Sequence, residues 1–569
     1  MNIPSVEKEI HRHLSLCFLV VALLSSFLSE MSAQVAVMQR PNVLFILADD
    51  IGWNDIGIYS SVASPGKDTS KVIRTPNIDS LAQAGMRFTD AHTPMTLCAP
   101  NRFSFLTGSN PYRNGRTGGS WGLSSSSGFS AGTANTGSVG KHLTLGDVMK
   151  AAGYATTFLG KTHLGGTAYT NAGEEIHKIR WRKSRTNPFL EMDYARGIDD
   201  SICRHGFDYA LTLEDGIQGP PYAWFLNGKF KPIDPLKPAD NSSVKDWKRQ
   251  KPHKAGKNGI SEFAHKPFMG DVDYDSSQIG VRLAREAVNF IGRHQRANKS
   301  AGKQTPFFLY YSPEAIHWPH TPPIDFDGDP TTIDVPVKGV TPGPTSDMIY
   351  ALDLQVGAIL EKLKDEGILN NTLIIFTSDN GGLKPTVANF GEAEHDTTGV
   401  LRGHKATVYE GGHRVPFIAR WGDGTAAGSK IAPGKVNHHL IAAHDWVATL
   451  YELTNQSIRE GQAMDSVSLL PTLLGKHPAE KPIRDFMSMG FPGIRAGDYF
   501  LLCERKKSNK PIELYNLEQD ISQTKNLISD PAQKDRIREL HALMLKHNNC
   551  DGRDMSEERS TPAFKVAAN

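Results

Sequence analysis

"PNVLFILADD", residues 41–50, carries an unbroken apolar run from Val43 to Ala48 and then stops on two aspartates. A strand with one face in water alternates apolar and polar residues. An uninterrupted β-rich run is the pattern of a strand buried on both faces, as in a parallel sheet covered by helices. The same unit recurs outward along the chain. "IDSLAQAGMRFTDAH" (78–92) reads as a helix followed by a strand, and "HLTLGDVMKAAGYATTFLGKTHLG" (142–165) repeats it. "PFFLYYSPEAIHWPHTPP" (306–323) reads as a strand entering a Pro-rich loop. Residues 346–382 give an amphipathic helix, a turn, a buried strand and the loop "SDNGG". Strands alternating with helices predict an α/β protein, its large sheet mixed but mostly parallel and covered by helices on both faces.

Polar residues follow four of these strands: Asp49–Asp50, Lys161–His163, His317 and Asp379–Asn380. One strand-end aspartate is often only a turn former. In open parallel sheets, however, ligands bind beyond the carboxyl ends of the strands, and four such ends predict a shared site. Asp49, Asp50, Asp379 and the side-chain oxygen of Asn380 make a hard, oxygen-only donor set. That set suits Ca²⁺, with Mg²⁺ as the alternative, far better than zinc. Arg102, Lys161 and Lys405, the last from "LRGHKATVYEGGHRVPFI" (401–418), would clamp a small multi-oxygen anion beside the metal. His163 and His317 have the chemistry of a general acid and base near neutral pH, although a histidine taken alone is more often structural.

"MTLCAPNRFSFLTG" (95–108) places Cys98 where a helix should start. Pro100 favours a first helical position, the free amides of such an end favour negative charge, and Arg102 adds a cation. The plain alternative is a small buried hydrophobe. Composition bounds the rest. A chain of 569 residues predicts two domains, and 39% hydrophobic with 22% charged residues describes a globular protein. A net charge of +2 provides no basic field for nucleic acid. "HRHLSLCFLVVALLSSFLSEMSAQ" (11–34) has basic residues, an apolar run and small residues near Ala33. It reads as a cleaved signal peptide over residues 1–33. A membrane anchor competes, but the run is short for a span, and Cys17 lies too early for a lipoprotein. Export to a periplasm or medium, without stable membrane insertion, is the expectation. Cleavage leaves Cys98, Cys203, Cys503 and Cys550, too few for a disulfide scaffold. If Cys98 is chemically used, at most one pair can form among the other three.

These motifs together resemble the type I sulfatases of the alkaline phosphatase superfamily, from residue 41 to about residue 530. "CAPNR" is similar to their C-x-P-x-R signature and is followed by "LTG". "PNVLFILADD", "TPNIDSLAQAGMRFTDAH", "GYATTFLGKTHLG", "SDNGG" and "KATVYEGGHRVPF" are similar to further family blocks in the same order. "IELYNLEQDISQTKNL" (512–527) resembles the segment of the family's smaller C-terminal domain. The resemblance implies a catalytic domain over 41–475 and a smaller α+β domain with an antiparallel sheet over 476–569. It implies that Cys98 is oxidised to formylglycine by a formylglycine-generating enzyme, and that one hydroxyl of the hydrated aldehyde attacks the sulfur of a sulfate ester. By the same resemblance Asp49, Asp50, Asp379 and Asn380 hold Ca²⁺, which residue 98 also contacts. Arg102 orients the hydrate, Lys161 and Lys405 bind sulfate oxygens, His317 protonates the leaving alcohol, and His163 helps the second hydroxyl collapse. The substrate would be a sulfated small molecule or carbohydrate.

The chain departs from the pattern in places. Asn101 replaces the usual serine after the proline, and Thr162 stands where many relatives have tryptophan, a position expected to pack. His404 and His413 are either substrate contacts or structural. "NHHLIAAHDW" (437–446) looks like a metal cluster but is expected to be structural, at the last helix of the large domain. Residues 120–140 read as a flexible loop at the pocket mouth. Residues 171–266 read as an insertion suited to a sulfated sugar, or as solvated loop. Two other functions fit the same residues: a phosphodiester or phosphonate monoester hydrolase, and a secreted carbohydrate-binding relative without catalysis.

Overall fold

The run at 43–48 is the central strand of a ten-stranded sheet. The computed structural model describes residues 40–114, 121–123, 142–179, 188–247, 268–326, 335–489, 492–504 and 509–548. The expected signal peptide, Cys550, most of the 120–140 loop and parts of the 171–266 insertion therefore lie outside the described residues. The strands of the large sheet are, in chain order, β1 (Asn42–Ala48), β2 (Met86–Phe88), β3 (Ala155–Lys161), β4 (Tyr209–Leu213), β5 (Trp224–Leu226), β6 (Lys229–Lys231), β7 (Phe307–Ser312), β8 (Thr372–Ser378), β9 (Phe417–Arg420) and β10 (Lys435–Asn437). Their order across the sheet is β10-β2-β9-β8-β1-β7-β3-β4-β5-β6. The five inner strands β8, β1, β7, β3 and β4 are parallel. Strand β9 is antiparallel to both β8 and β2, and the β4–β5–β6 ribbon is antiparallel on the other flank.

The unbroken apolar run follows from burial on both faces. Val43, Phe45 and Leu47 enter one core, with Phe103 of α2 (Cys98–Thr107), Val148 of α3 (Leu145–Ala151) and Trp446 of α6 (Trp446–Leu453). Leu44, Ile46 and Ala48 enter the other, with Leu81 of α1 (Pro76–Gln83), Leu283 of α4 (Ile279–Ala301) and Leu352 of α5 (Pro344–Asp365). All six β1 residues from Val43 to Ala48 are fully buried. At about 25 cal/mol per Å² of apolar surface removed from water, the helical layers on both sides give the sheet its main driving force.

A second, antiparallel sheet lies near the C-terminus, running consecutively through β11 (Phe486–Met489), β12 (Gly493–Ala496), β13 (Tyr499–Cys503) and β14 (Pro511–Asn516). Its alternation is as simple: Phe500 and Leu502 pack with Val408 and Leu440 of the large part. Leu501 and Cys503 face Leu540 and Met544 of α7 (Lys534–Asn548). The described cysteines, Cys98, Cys203 and Cys503, are all free.

Candidate active site

Four adjacent inner strands, β8, β1, β7 and β3, deliver the polar loops to one edge, because parallel neighbours about 4.8 Å apart end on the same side. Asp49 and Asp50 follow β1 directly, and Asp379 follows β8. Lys161 is itself the last residue of β3, and His317 lies five positions past β7, so these two depart from the simple strand-end expectation. The turns are tight. Asp50 (φ 66°), His163 (φ 54°) and Ala406 (φ 70°) all adopt left-handed backbone, a conformation concentrated at functional sites.

Cys98 enters through α2, all ten residues of which are buried. The helix starts on Cys98 itself, with Leu97 extended as its N-cap, and ends at Gly108 in the left-handed conformation (φ 68°). Pro100 is thus the third helical residue, not the first as expected. The first four helical amides have no intrahelical acceptor, so a proline in that turn sacrifices no hydrogen bond. The Cys98 sulfur lies within 4.8 Å of carboxylate oxygens of Asp49 and Asp379, and within 4.8 Å of Asp50 and His317 ligand atoms.

Around it the charges interlock. Lys161 Nζ donates to Asp49 Oδ2 at 2.6 Å, and Lys405 Nζ reaches both Asp50 oxygens at 2.5 and 2.7 Å. Arg102 holds Asp379 Oδ2 from Nε at 2.9 Å and Nη2 at 2.7 Å. Its Nη1 donates to Ser312 Oγ at 2.6 Å, and Ser312 donates in turn to the Lys161 carbonyl at 2.9 Å. Asn380 Nδ2 donates to Asp50 Oδ1 at 2.9 Å. His317 Nε2 stands 3.7 Å from Asp50 Oδ2, its ring fixed by Nδ1 at 2.7 Å from the Trp318 carbonyl. The three carboxylates formally balance the three cations.

Electrostatics follow from that packing. Burial alone would raise Asp49 and Asp50, but Lys161 and His317 hold the first below the usual carboxylate range, and Lys405 and His317 the second. Burial pushes Asp379 up to about 7; Arg102 opposes this, while Asp49 and Asp50 reinforce it. Burial would lower Lys405, yet the Asp50 carboxylate holds it above its ordinary value. Burial, then the Lys161 and Arg102 cations, keep His163 well below the ordinary imidazole value, so its ring is neutral near pH 7.

The donor set fits a hard divalent cation. Asp49 Oδ1 and Asn380 Oδ1 are buried oxygens that accept no hydrogen bond, and three carboxylates crowd the same space. Leaving such groups unsatisfied is costly, and an oxygen-seeking cation would satisfy them.

Ser312 and Glu214, which the sequence did not single out, and Asn101, which it marked only as a departure from the motif, support the site. Ser312, Asn101 and Glu214 are buried there. Glu214 accepts from Thr162 Oγ1 at 2.6 Å and Thr212 Oγ1 at 2.8 Å, and its carbonyl accepts from the His163 amide at 2.7 Å. Thr162 is therefore a hydrogen-bonding brace as well as a packed residue. His404 is half-buried, with Nδ1 3.0 Å from the Lys405 carbonyl. His413 is fully buried, 3.0 Å from His92, whose other nitrogen meets Asp90 at 2.7 Å. His413 thus belongs to a buried cluster with His92 and Glu410 that contains none of the expected site residues. His438, His439 and His444 bond separately to Thr89, the Ala479 carbonyl and the Asp465 carbonyl, so they form no cluster.

A mostly parallel α/β sheet whose carboxyl edge gathers three carboxylates and three cations suits an enzyme that acts on a small oxyanion ester. A family model described as sulfatase matches residues 41–456. The chain belongs to the sulfatase family and is a sulfuric ester hydrolase. It is 30% identical over 461 residues to an N-acetylgalactosamine-6-O-sulfatase of Bacteroides thetaiotaomicron, covering 77% of each chain. It is 30% identical to human arylsulfatase A over 453 residues, covering 79% of this chain and 71% of that one. A solved Bacteroides thetaiotaomicron sulfatase, described with the metabolism of multiple glycosaminoglycans, superposes with a TM-score of 0.66 at 25% identity, covering 90% of this chain and 100% of that one. Among the described residues no helix is long and apolar enough to cross a membrane.

Proposed function

We propose that the protein removes sulfate from a sulfated carbohydrate, using a formylglycine made from Cys98 and a Ca²⁺ held by Asp49, Asp50, Asp379 and Asn380. The observation that carries this reading is the position of Cys98: the first residue of a buried helix, within 4.8 Å of Asp49, Asp379, Asp50 and His317 atoms. The similarity to the N-acetylgalactosamine-6-O-sulfatase supports a sugar substrate. The signal-like N-terminus supports export.

When bound, Ca²⁺ supplies Lewis-acid stabilisation of charge on sulfate oxygens. A formylglycine hydrate at residue 98 would supply a nucleophilic hydroxyl and a second hydroxyl for the release of sulfate. The remaining work falls to this chain's own residues. Arg102, anchored by Asp379 and Ser312, fixes charge next to residue 98. Lys161 and Lys405 offer ammonium groups to the sulfate. His317 stands at the more open side of the site and holds the proton that passes to the leaving oxygen. His163, neutral because it is buried among cations, accepts the proton of the second hydroxyl at its ring.

The test is mass spectrometry of the Cys98 peptide from protein made with a formylglycine-generating enzyme, followed by a desulfation screen across defined sulfated sugars. An aldehyde at residue 98 and turnover of a sugar sulfate are expected. A fully active protein carrying only thiol at Cys98 would sink the mechanism. Faster turnover of phosphate diesters or phosphonate monoesters than of any sulfate would favour the phosphorus alternative.

A further inference from the structure

Asn101, the departure from the usual motif, is fully buried and makes three hydrogen bonds. Its Oδ1 accepts from the Met95 amide at 2.9 Å. Its Nδ2 donates to the Met95 carbonyl at 2.9 Å and to the Asp379 carbonyl at 2.7 Å. The partners fix the orientation of the amide, since two carbonyls demand the nitrogen and one N–H demands the oxygen. One side chain therefore joins three things: the helix that carries Cys98 and Arg102, the loop immediately before it, and the strand end that carries Asp379 and Asn380. The Asp379 backbone is held on its other side by its amide, which donates to the Ala48 carbonyl at 3.1 Å. A serine hydroxyl has one donor and a shorter reach, so it cannot make all three bonds.

We propose that Asn101 is a positioning residue, which sets residue 98 at its working distance from the Asp379–Asn380 carboxylate and amide oxygens. The proposal rests on the reading of Cys98 and the cation site above. It contrasts with a role for position 101 only in recognition by the maturation enzyme. The resemblance to type I sulfatases implies that this enzyme acts on the unfolded chain, where none of these three bonds exists.

The two roles separate in Asn101→Ser and Asn101→Asp, each made with a formylglycine-generating enzyme. Aspartate keeps the shape but opposes a carboxylate oxygen to two carbonyls. Four quantities are compared with wild type: the aldehyde fraction at residue 98, kcat per aldehyde on an activated aryl sulfate, KM, and the Kd of Ca²⁺ by titration calorimetry. Displacement of reacting groups by about 1 Å can cost about a hundredfold. The expected result is an aldehyde fraction within about twofold and kcat per aldehyde ~10- to 100-fold lower, with KM changed less than the ~10-fold lower bound on kcat. Ca²⁺ should bind measurably more weakly, and more so in Asn101→Asp. Unchanged kcat per aldehyde, with all loss in the aldehyde fraction, would assign position 101 to maturation and overturn the proposal. Unchanged kcat per aldehyde and unchanged Ca²⁺ affinity with only a lower Tm would reduce Asn101 to packing. Should wild type itself carry only thiol, the Cys98 reading fails, while the Ca²⁺ comparison between thiol forms still decides the role of Asn101.

Discussion

His317 is the site residue whose contacts leave it most open to a leaving group. Its Nδ1 is engaged by the Trp318 carbonyl, so Nε2, 3.7 Å from Asp50, is the nitrogen that can exchange a proton with substrate. Positioned acid catalysis is typically worth about a hundred- to ten-thousand-fold. A sugar alkoxide needs that proton and an activated phenolate does not. His317→Ala should therefore slow sulfate transfer from sugar sulfates by about 10²- to 10⁴-fold and from activated aryl sulfates much less. Single-turnover rates on the two classes check this, and equal losses would remove His317 from the acid role. Asp379→Ala should abolish turnover and Ca²⁺ binding together, measured by calorimetry. It would strip a proposed cation ligand and leave the buried Arg102 guanidinium with only the longer contact to Asp49, at 3.5 Å, as its carboxylate partner. At this scale the sequence already exposed the ionisable residues, because an aspartate or lysine beyond a buried strand has few plain explanations. Ser312, Glu214 and Asn101 were not legible in the same way. Their roles depend on distant partners, 52 positions away for Glu214 and Thr162, 210 for Ser312 and Arg102, and 278 for Asn101 and Asp379, and their residue types are ordinary in turns.

At the scale of elements, the loop after β7 brings His317 to the site and carries His320 three residues on. His320 Nδ1 lies 3.1 Å from Thr345 Oγ1, at the start of α5. Burial, with His317 as a further cause, pulls His320 down to about 4. An unfolded histidine titrates near 6.5, so the unfolded state binds the proton more readily between pH 6.5 and 4. The stability that goes with the neutral ring is complete above 6.5 and is lost as pH falls through that window, by about 1.4 kcal/mol per pH unit. His320→Asn keeps a polar atom near the Nδ1 position and cannot charge. The destabilisation caused by His320→Asn should thus be smaller at pH 5 than at pH 7.5, by about 2 kcal/mol. Urea unfolding of both proteins at the two pH values measures it; a pH-independent difference would contradict the assignment. The elements themselves were the most legible level, since β1, β7 and β8 each contain an unbroken apolar run. The helix start at Cys98 was legible too; only Pro100 differs, taking the third helical position and not the first, because the extended Leu97 caps the helix.

The whole molecule joins a large mixed sheet to a small antiparallel one through charge as well as apolar contact. Arg495 on β12 holds Asp90 from Nη1 at 2.9 Å and Nη2 at 2.8 Å. Arg414 holds the same carboxylate at 2.9 Å, and Asp90 meets His92. The described residues from Asn42 onward form one compact unit. The division expected near residue 475 is a proposal that proteolysis can address. Breaking a buried ion pair by removing one partner costs about 3–5 kcal/mol. Arg495→Ala should therefore lower Tm and speed limited proteolysis between Leu474 and Phe486, read by mass spectrometry of the fragments. Unchanged cleavage would show that apolar packing alone holds the small sheet. None of this junction was visible beforehand: the sequence marks the small sheet by its resemblance, but Asp90 and Arg495 are 405 positions apart.

The lysines resting on Asp49 and Asp50 have a thermodynamic consequence. A cation that takes those carboxylates competes with the two ammonium groups for the same oxygens, and so releases positive charge towards an incoming anion. An oxyanion that engages the ammonium groups in turn frees the carboxylates for the cation. Linkage requires the two effects to be equal, so each ligand must tighten the other's hold by the same factor. Calcium titrations with and without inorganic sulfate should give a lower Kd for Ca²⁺ in its presence, and sulfate titrations the matching shift with Ca²⁺. Lys405→Ala and Lys161→Ala should shrink the coupling; a coupling that survives both substitutions would locate it elsewhere in the site.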